Sequence, residues 1–209
     1  MAKQRQTDSG LDGIAAAIRQ QKDAKAPPPV HLWDPPFCGD LDIRIAADGT
    51  WHYLGTPIGR MPLVKLFASV LKREDGKYYL VTPVEKIGIT VEDAPFQAVE
   101  MQRQETAHGP RLMFRTNVDD WVTCDAEHGL RFEKDAATDG LKPYVHIRRG
   151  LWARLTRPLF YDLAELGEER ESHGAMMFGV ESAGVFFPMA RADELADELA
   201  ADELKDVKG

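Results

Sequence analysis

The sequence is poor in the features that identify a protein's chemistry at a glance. It has only two cysteines, Cys38 and Cys124, and no Cys-x-x-Cys pair, so we expect a reduced cytoplasmic setting rather than a disulfide framework. No apolar run approaches the roughly 20 residues that cross a bilayer, and the N-terminus lacks the apolar core of a signal peptide. These absences favour a cytoplasmic protein that does not engage membranes.

An excess of positive charge is also lacking. The net charge of -8 over 209 residues argues against a DNA or RNA polymer as the partner, because phosphate backbones require a basic face. No polybasic stretch points to a phosphoinositide membrane either. A small anionic ligand in a local basic pocket stays compatible with this composition.

Motifs of known enzymes are absent too. The chain has no G-x-G-x-x-G, G-x-S-x-G or H-E-x-x-H motif, and Gly55–Arg60 lacks the spacing of a phosphate loop. Cys124 and His128 supply two metal ligands where a closed zinc site needs about four, and we interpret both cysteines as small apolar fillers. His52 and His146 lie on predicted strands with no visible catalytic partner. We therefore predict no catalytic residue, no metal and no cofactor.

What is present is an internal repeat. Pro62-Leu63 is followed by Val84-Glu85-x-x-Gly88, and Pro158-Leu159 is followed by Val180-Glu181-x-x-Gly184, with an offset of 96 residues at both ends. Self-similarity of this kind predicts two related halves. A pseudo-symmetric pair leaves a seam between its halves, where ligand pockets tend to form.

Periodicity gives each half the same order of elements. In the first half, alternation over 41–45 and 51–54 predicts a hairpin around Asp48-Gly49. A helical face follows, and the runs 77–82 and 86–91 are rich in strand formers. The residues of the predicted helical face are Leu63, Leu66, Phe67, Val70 and Leu71. The unit is thus hairpin, helix, hairpin.

The second half repeats this order after four further strands, predicted over 96–103, 111–116, 121–124 and 130–133. A hairpin over 144–155 places Trp152 where the first copy has Trp51, a helix carries Leu159 and Leu163, and closing strands follow over 175–179 and 184–189. We therefore predict a β-rich α+β fold with an internal duplication and two small domains.

The predicted domain organisation has four parts. Residues 1–30 form a helix and a proline-rich linker, 31–98 the first repeat domain, 99–190 the second domain, and 191–209 an acidic helical tail. The N-terminal helix has a thin apolar stripe, so we expect it to pack loosely or to serve as an arm. Its stripe comprises Leu11, Ile14, Ala15 and Ile18.

Basic and aromatic residues mark the best candidate binding site. Arg154 and Arg157 flank the junction of hairpin and helix, where a helix N-terminus beside guanidinium groups suits an anion. Trp152 and Tyr161 offer rings on which a base stacks. In the alternative interpretation, Trp152 is a core residue, and the arginines pair with Asp162, Glu165 or Glu181. The full candidate set is Thr56, Arg60, Lys65, Lys86, Trp152, Arg154, Arg157 and Tyr161.

An ordered series of short motifs carries a family resemblance. The motifs are Pro28–Trp33 (PPVHLW), Pro36–Asp40 (PFCGD), Asp48–Trp51 (DGTW), Gly55–Ile58 (GTPI), Tyr78–Lys86 (YYLVTPVEK), Asp93–Phe96 (DAPF) and Leu151–Pro158 (LWARLTRP). Together they resemble a bacterial "domain of unknown function" family of about this length, over roughly residues 10 to 190. The resemblance implies a duplicated two-domain fold, a C-terminal half like a pleckstrin-homology barrel, and a nucleotide-like ligand bound at the domain interface in a signalling role.

Three functional hypotheses follow. The leading one is a non-enzymatic, cytoplasmic ligand-binding protein that holds a nucleotide-like anion at the inter-domain seam and reports it to a signalling partner in bacterial signal transduction. The second is an enzyme that uses the repeat-equivalent acids Glu85 and Glu181 as an acid–base pair. The third is a protein-interaction adaptor that uses its β-surface. Fold class alone does not choose among them.

Overall fold

The computed structural model describes residues 13, 15, 16, 18, 19, 28–136, 138, 140–172 and 174–194. The chain forms two compact units. The N-terminal unit contains the described residues up to Gln97, together with Asn117–Asp119 and Arg148–Trp152. The C-terminal unit contains Ala98–Thr116, Asp120–Ile147 and the described residues from Ala153 onward.

The N-terminal unit is built on a six-stranded sheet and one helix. The elements are β1 (Phe37–Ile45), β2 (Trp51–Tyr53), β3 (Thr56–Pro57), α1 (Met61–Ser69), β4 (Leu71–Glu74), β5 (Lys77–Val81) and β6 (Lys86–Val91). The strand order is β3-β2-β1-β6-β5-β4. β1 and β6 pair in parallel, with Ile45 opposite Val91, so the sheet joins the strands before α1 to those after it. The predicted hairpin, helix, hairpin order is confirmed.

Helix α1 covers this unit's core with one apolar face. Leu63, Leu66 and Phe67 are buried, and the ring of Phe67 stacks on Trp51 with 6.2 Å between centroids. The helix ends at Ser69, two residues earlier than predicted, and Leu71 begins β4 instead. Val70 leaves the helical region with φ -111°, because the N–H of Val81 on β5 binds its carbonyl at 3.0 Å.

The C-terminal unit is almost entirely strand. Its elements are β7 (Phe96–Thr106), β8 (Gly109–Thr116), β9 (Trp121–Thr123), β10 (Leu130–Lys134), β11 (Leu141–Arg148), β12 (Leu151–Leu155), α2 (Arg157–Ala164), β13 (Glu168–Ser172), β14 (Ala175–Ser182) and β15 (Val185–Arg191). Strands β10-β11-β12-β7-β8-β9 form a sheet, and one of the two six-stranded sheets curls into a half-barrel. Strands β13-β14-β15 form a separate antiparallel sheet. The predicted β-rich fold with two domains is confirmed.

A buried hydroxyl joins this small sheet to the large one. The N–H of Leu112 on β8 donates to Ser182 Oγ at 2.9 Å, and Ser182 Oγ donates to the carbonyl of Cys124 at 2.6 Å. One residue further on, the N–H of Ala183 donates to the carbonyl of Pro110 at 2.8 Å. Because Ser182 is 0 % exposed, these bonds fix the end of β14 beside β8.

The two copies of the repeat share element order, but the matching motifs do not occupy matching positions throughout. Leu63 and Leu159 are both buried helix residues. Glu85, however, lies in the turn between β5 and β6, whereas Glu181 lies within β14, so the predicted equivalence of the two acids is wrong. The strands after α2 also form their own sheet, whereas those after α1 join β1.

Two further expectations need correction. Trp152 does not take the role of Trp51, because Trp51 is a core residue with 2 % exposure while Trp152 is half-buried. Strand β13 was not predicted, because its sequence EERES has no apolar residue to generate an alternating pattern. It forms by pairing with β14 alone, at the edge of the small sheet.

The chain termini are described only in part. Gly13, Ala15, Ala16, Ile18 and Arg19 are helical, and Ala15 and Ile18 are fully buried, which contradicts the expectation of loose packing. Leu11 and Ile14 lie outside the described residues, as does the predicted acidic tail beyond residue 194. Among the described residues, no helix has the length and apolar character needed to cross a membrane.

Candidate functional site

Three of the predicted site residues lie on helix α1 or in the segment that precedes it. Thr56 is exposed on the two-residue strand β3, and Arg60 is the residue that precedes the first turn of α1. Lys65 lies on the helix and forms a salt bridge with Asp119. The Lys65 ammonium therefore has a carboxylate partner within its own unit.

Lys86, the fourth candidate of this unit, belongs to a half-buried ion network on the sheet. Its Nζ lies 3.0 Å from Glu74 and 4.0 Å from Asp34, and 5.5 Å from the centre of the Tyr79 ring. Hydrogen bonds from Lys72 and then Lys86 lower the pKa of Glu74, and the Glu74 hydrogen bond raises the pKa of Lys86. These contacts make Lys86 part of an ion network within the sheet, and its role in ligand binding stays a prediction.

The other four predicted residues lie on β12 and α2. Trp152 and Arg154 are half-buried on the outward side of β12, opposite the buried Leu151, Ala153 and Leu155. Arg157 is the first residue of α2, and Tyr161 lies one turn later. The structure therefore brings Arg157 and Tyr161 together on one helix face.

Arg157 and Tyr161 form an exposed pair. The Nε of Arg157 donates to the Tyr161 hydroxyl at 3.0 Å, and the guanidinium carbon lies 5.7 Å from the ring centre. Tyr161 is 54 % exposed. Of the carboxylates proposed as partners of Arg157, Glu181 binds Arg170 instead. Within the described part of the chain, no carboxylate pairs with Arg157.

The first turn of α2 adds to the positive character of this pair. Thr156 at the N-cap makes no side-chain hydrogen bond to the helix, so no capping oxygen competes for the N–H groups of Arg157 and Leu159. Pro158, the second residue of the helix, has no N–H group to offer. A helix start carries a partial positive charge. The guanidinium, the uncapped turn and the exposed ring together suit an anionic ligand that has an aromatic group.

A cavity of about 210 Å³ lies within the C-terminal unit. We call it the C-terminal cavity. Residues of β7, β8, β13 and β14 and of the link between α2 and β13 form its lining: Arg103, Pro110, Leu112, Leu166, Glu168 and Glu181. Sequence reasoning had singled out only Glu181 among these. The others come from distant points of the chain and share no motif, so no local signal would have found them.

Charged side chains, those of Arg103, Glu168 and Glu181, make up half of the lining of the C-terminal cavity. Arg170 bridges the carboxylates of Glu168 and Glu181 and lies 4.8 Å above the Phe186 ring. The hydrogen bond to Glu181, reinforced by Glu168, raises the pKa of Arg170. Arg103 makes its ion pair with Glu105, through Nε at 2.7 Å. Glu181 is therefore part of a charge cluster in its own unit.

The cysteine and histidine residues are the candidate metal ligands in the part of the chain that the structure describes. Cys124 is fully buried, and burial raises the pKa of its thiol to about 12, so it is protonated and inert at neutral pH. Cys38, predicted as an apolar filler, is exposed. His128 contacts Asp125 at 3.3 Å and stacks on His146. No three ligating side chains converge among the residues that the structure describes.

Comparison with known proteins gives a consistent picture. Residues 28–94 match the N-terminal domain, and residues 95–189 the C-terminal domain, of a family described as "protein of unknown function (DUF1285)". No curated protein matches the chain. A DUF1285 family protein from Silicibacter pomeroyi DSS-3 is similar in structure, with TM-score 0.79 and 48 % identity over 87 % of this chain and 96 % of that chain. One from Shewanella baltica OS155 has TM-score 0.47 and 32 % identity over 59 % and 90 %.

Proposed function

The chain belongs to the DUF1285 family of proteins of unknown function, and for this member we propose a non-enzymatic role in which it binds a nucleotide-like anionic ligand. The observation that carries the proposal is the exposed pair of Arg157 and Tyr161. Arg157 has no carboxylate partner among the described residues, in contrast to Lys65 and Lys86. Its charge is therefore available to a ligand.

The chemistry of the pair matches the two parts of a nucleotide. A guanidinium binds phosphate oxygens through paired N–H groups, and the uncapped first turn of α2 favours negative charge. The exposed Tyr161 ring offers a face for base stacking, an interaction worth about 1–3 kcal/mol per base. Arg154 lies on the strand that enters the helix and supplies a second positive charge nearby in sequence.

The wider role is part of the same proposal. We place the protein in the cytoplasm as a sensor that reports its ligand to a signalling partner. The paired-acid enzyme hypothesis stays an alternative prediction, which receives less support because Glu85 and Glu181 are not equivalent in the fold and Glu181 is bound by Arg170. The predicted location of the ligand at the inter-domain seam stays a prediction.

A thermal-shift screen with mononucleotides, dinucleotides and cyclic dinucleotides tests the proposal. A ligand at 100 times its Kd stabilises the native state by about 2.7 kcal/mol, which raises the Tm by about 5–11 °C for a chain of this size. Arg157→Ala should weaken the binding of a hit about 10- to 100-fold, because it removes charge-assisted hydrogen bonds.

Arg131→Ala is the matched control. Arg131 also lies over a tyrosine ring, 5.0 Å from the centre of Tyr144, but it pairs with Glu133 at 3.0 Å and its tyrosine is buried. The control should bind the hit as the parent protein does. Equal affinity of Arg157→Ala and the parent would refute this site, and a screen without any hit would favour the adaptor hypothesis.

A further inference from the structure

We propose that the C-terminal cavity is a second binding site, for a small zwitterion of amino-acid size with an apolar side chain. The volume sets the first limit. At about 210 Å³, the cavity lies below the roughly 300–1,000 Å³ of ordinary ligand pockets. It is too small for a nucleotide with its base, sugar and phosphate, so its occupant differs from the ligand proposed for Arg157 and Tyr161.

The carboxylates on one side of the cavity favour a cationic group. Arg170 binds Glu168 through Oε1 and Glu181 through Oε2, so one guanidinium neutralises only one of two negative charges. Glu181 Oε1 lies beside Gly109, 3.1 Å from the point where a side-chain Cβ would stand. An ammonium group donates three hydrogen bonds and supplies the missing positive charge.

The opposite charge comes from β7. Arg103 and Leu112 are directly opposed in the β7–β8 ladder, so their side chains share one face of the sheet. In the described part of the chain, Arg103 is held by Glu105 through Nε alone, and its terminal nitrogens retain donors. A guanidinium with donors left recognises a carboxylate. The cavity thus has carboxylates that can bind a cationic group and a separate guanidinium that can bind an anionic group.

The remaining lining is apolar and firmly held. Pro110, Leu112 and Leu166 line the cavity, and Leu112 is 1 % exposed. The bonds from Leu112 to Ser182 and from Ala183 to Pro110 fix the two walls. Leu112 is covered by its neighbours, so Pro110 and Leu166 supply the accessible apolar surface. Apolar surface in one cavity with a carboxylate pair and a guanidinium suits a free α-amino acid with an aliphatic side chain, because its ammonium, its carboxylate and its side chain each find a partner.

Three probes of one carbon skeleton separate the contributions in titration calorimetry with the full chain. Leucine carries both charges, 3-methylbutylamine lacks the carboxylate, and 4-methylpentanoate lacks the ammonium. We expect leucine to bind best, the amine about 10-fold or more weaker, and the acid weakest, because each lost charged contact costs at least that factor. No binding of leucine at millimolar concentration, or equal binding of leucine and the acid, would overturn the proposal.

Two variants locate the site. Arg103→Ala should weaken leucine binding about 10- to 100-fold, while Arg111→Ala, an exposed arginine opposite Gln104 on the other face of the same ladder, should leave it unchanged. Leu166→Phe should block the cavity without touching any charge, and its Tm reports whether it folds. If Arg103→Ala and a folded Leu166→Phe both bind leucine as tightly as the parent protein does, leucine binds elsewhere and the proposed site is refuted.

The outcome is independent of the nucleotide proposal. Arg157→Ala should not alter leucine binding, and Arg103→Ala should not alter nucleotide binding, because Arg157 is not among the residues that line the cavity. A nucleotide hit without leucine binding refutes only the zwitterion site. Leucine binding without a nucleotide hit refutes only the Arg157–Tyr161 site.

Discussion

Replacement of Ser182 by alanine tests two buried hydrogen bonds that one hydroxyl makes in the C-terminal unit. Leu112 and Cys124 face each other where β8 meets the end of β9, and the N–H of Cys124 donates to the carbonyl of Leu112 at 2.8 Å. The N–H of Leu112 does not bind the carbonyl of Cys124 in return, because the Ser182 hydroxyl lies between these two groups. The hydroxyl accepts from the Leu112 N–H at 2.9 Å and donates to the Cys124 carbonyl at 2.6 Å. Ser182→Ala leaves both backbone groups without that partner.

The magnitude follows from the burial of these groups. Ser182 and Cys124 are 0 % exposed and Leu112 is 1 % exposed, so water has no ready access. Each buried donor or acceptor left unsatisfied costs about 1–3 kcal/mol. With two such groups and partial relaxation of the structure around them, Ser182→Ala should lower the free energy of unfolding by about 3 kcal/mol. This lowers the Tm by about 6–12 °C for a chain of this size.

Urea unfolding followed by far-UV circular dichroism measures this loss, and amide hydrogen exchange at Leu112 reports it locally. Ser69→Ala is the control, because its hydroxyl donates to a single carbonyl, that of Leu66 at 2.6 Å. Ser69→Ala should lower the free energy of unfolding by no more than about 1 kcal/mol. If Ser182→Ala costs no more than Ser69→Ala and leaves exchange at Leu112 slow, then β8 and β9 close directly and the reasoning is wrong.

Three further predictions concern single sites. At pH 8 a thiol reagent should modify the exposed Cys38 but leave Cys124 intact until the protein unfolds, since a pKa of about 12 leaves only about one thiolate in 10,000. The native parent and Cys124→Ala should therefore incorporate the same amount of reagent, and greater rapid labelling of the native parent would contradict this prediction. Gly167→Ala should cost about 1–3 kcal/mol, because its Cβ would lie 2.1 Å from an aromatic carbon, whereas Gly59→Ala, with nothing within 4 Å, should be neutral in the same urea titration. The lysine contacts that lower the pKa of Glu74 below its ordinary 4.5 stabilise the fold above that pH and are lost in acid, so Glu74→Gln should cost up to about 1 kcal/mol at pH 7 and nothing below the native pKa; a deficit that persists in acid would refute the assignment.

Most of the secondary structure was predictable because local patterns agreed with the fold. β6 has the predicted limits, β12 ends where the predicted hairpin ends, and α1 buries the predicted Leu63 and Leu66. The errors arose where pairing overrode local preference. Leu71 continues the helical spacing but begins a strand, because Val70 is bonded to β5. The charged β13 becomes a strand only because β14 offers it a ladder.

The candidate site was predictable to a smaller extent. Tyr161 lies one turn after Arg157, and i, i+4 spacing on a helix made their contact foreseeable. Lys65 and Lys86 carry the same charge in the sequence, but Asp119 and Glu74 neutralise them from elsewhere in the chain. Only the tertiary structure shows that both ammonium groups have carboxylate partners.

The sequence by itself determined the class of fold, the order of elements and the absence of known catalytic motifs, because these depend on residue type and on spacing over a few turns or strands. Only the tertiary structure decided which acids are equivalent, which cations are neutralised, and where the C-terminal cavity lies. The physical reason is that ion pairs, buried hydrogen bonds and cavity walls join residues far apart in the chain, as Ser182 joins β14 to β8. No local pattern encodes such a contact.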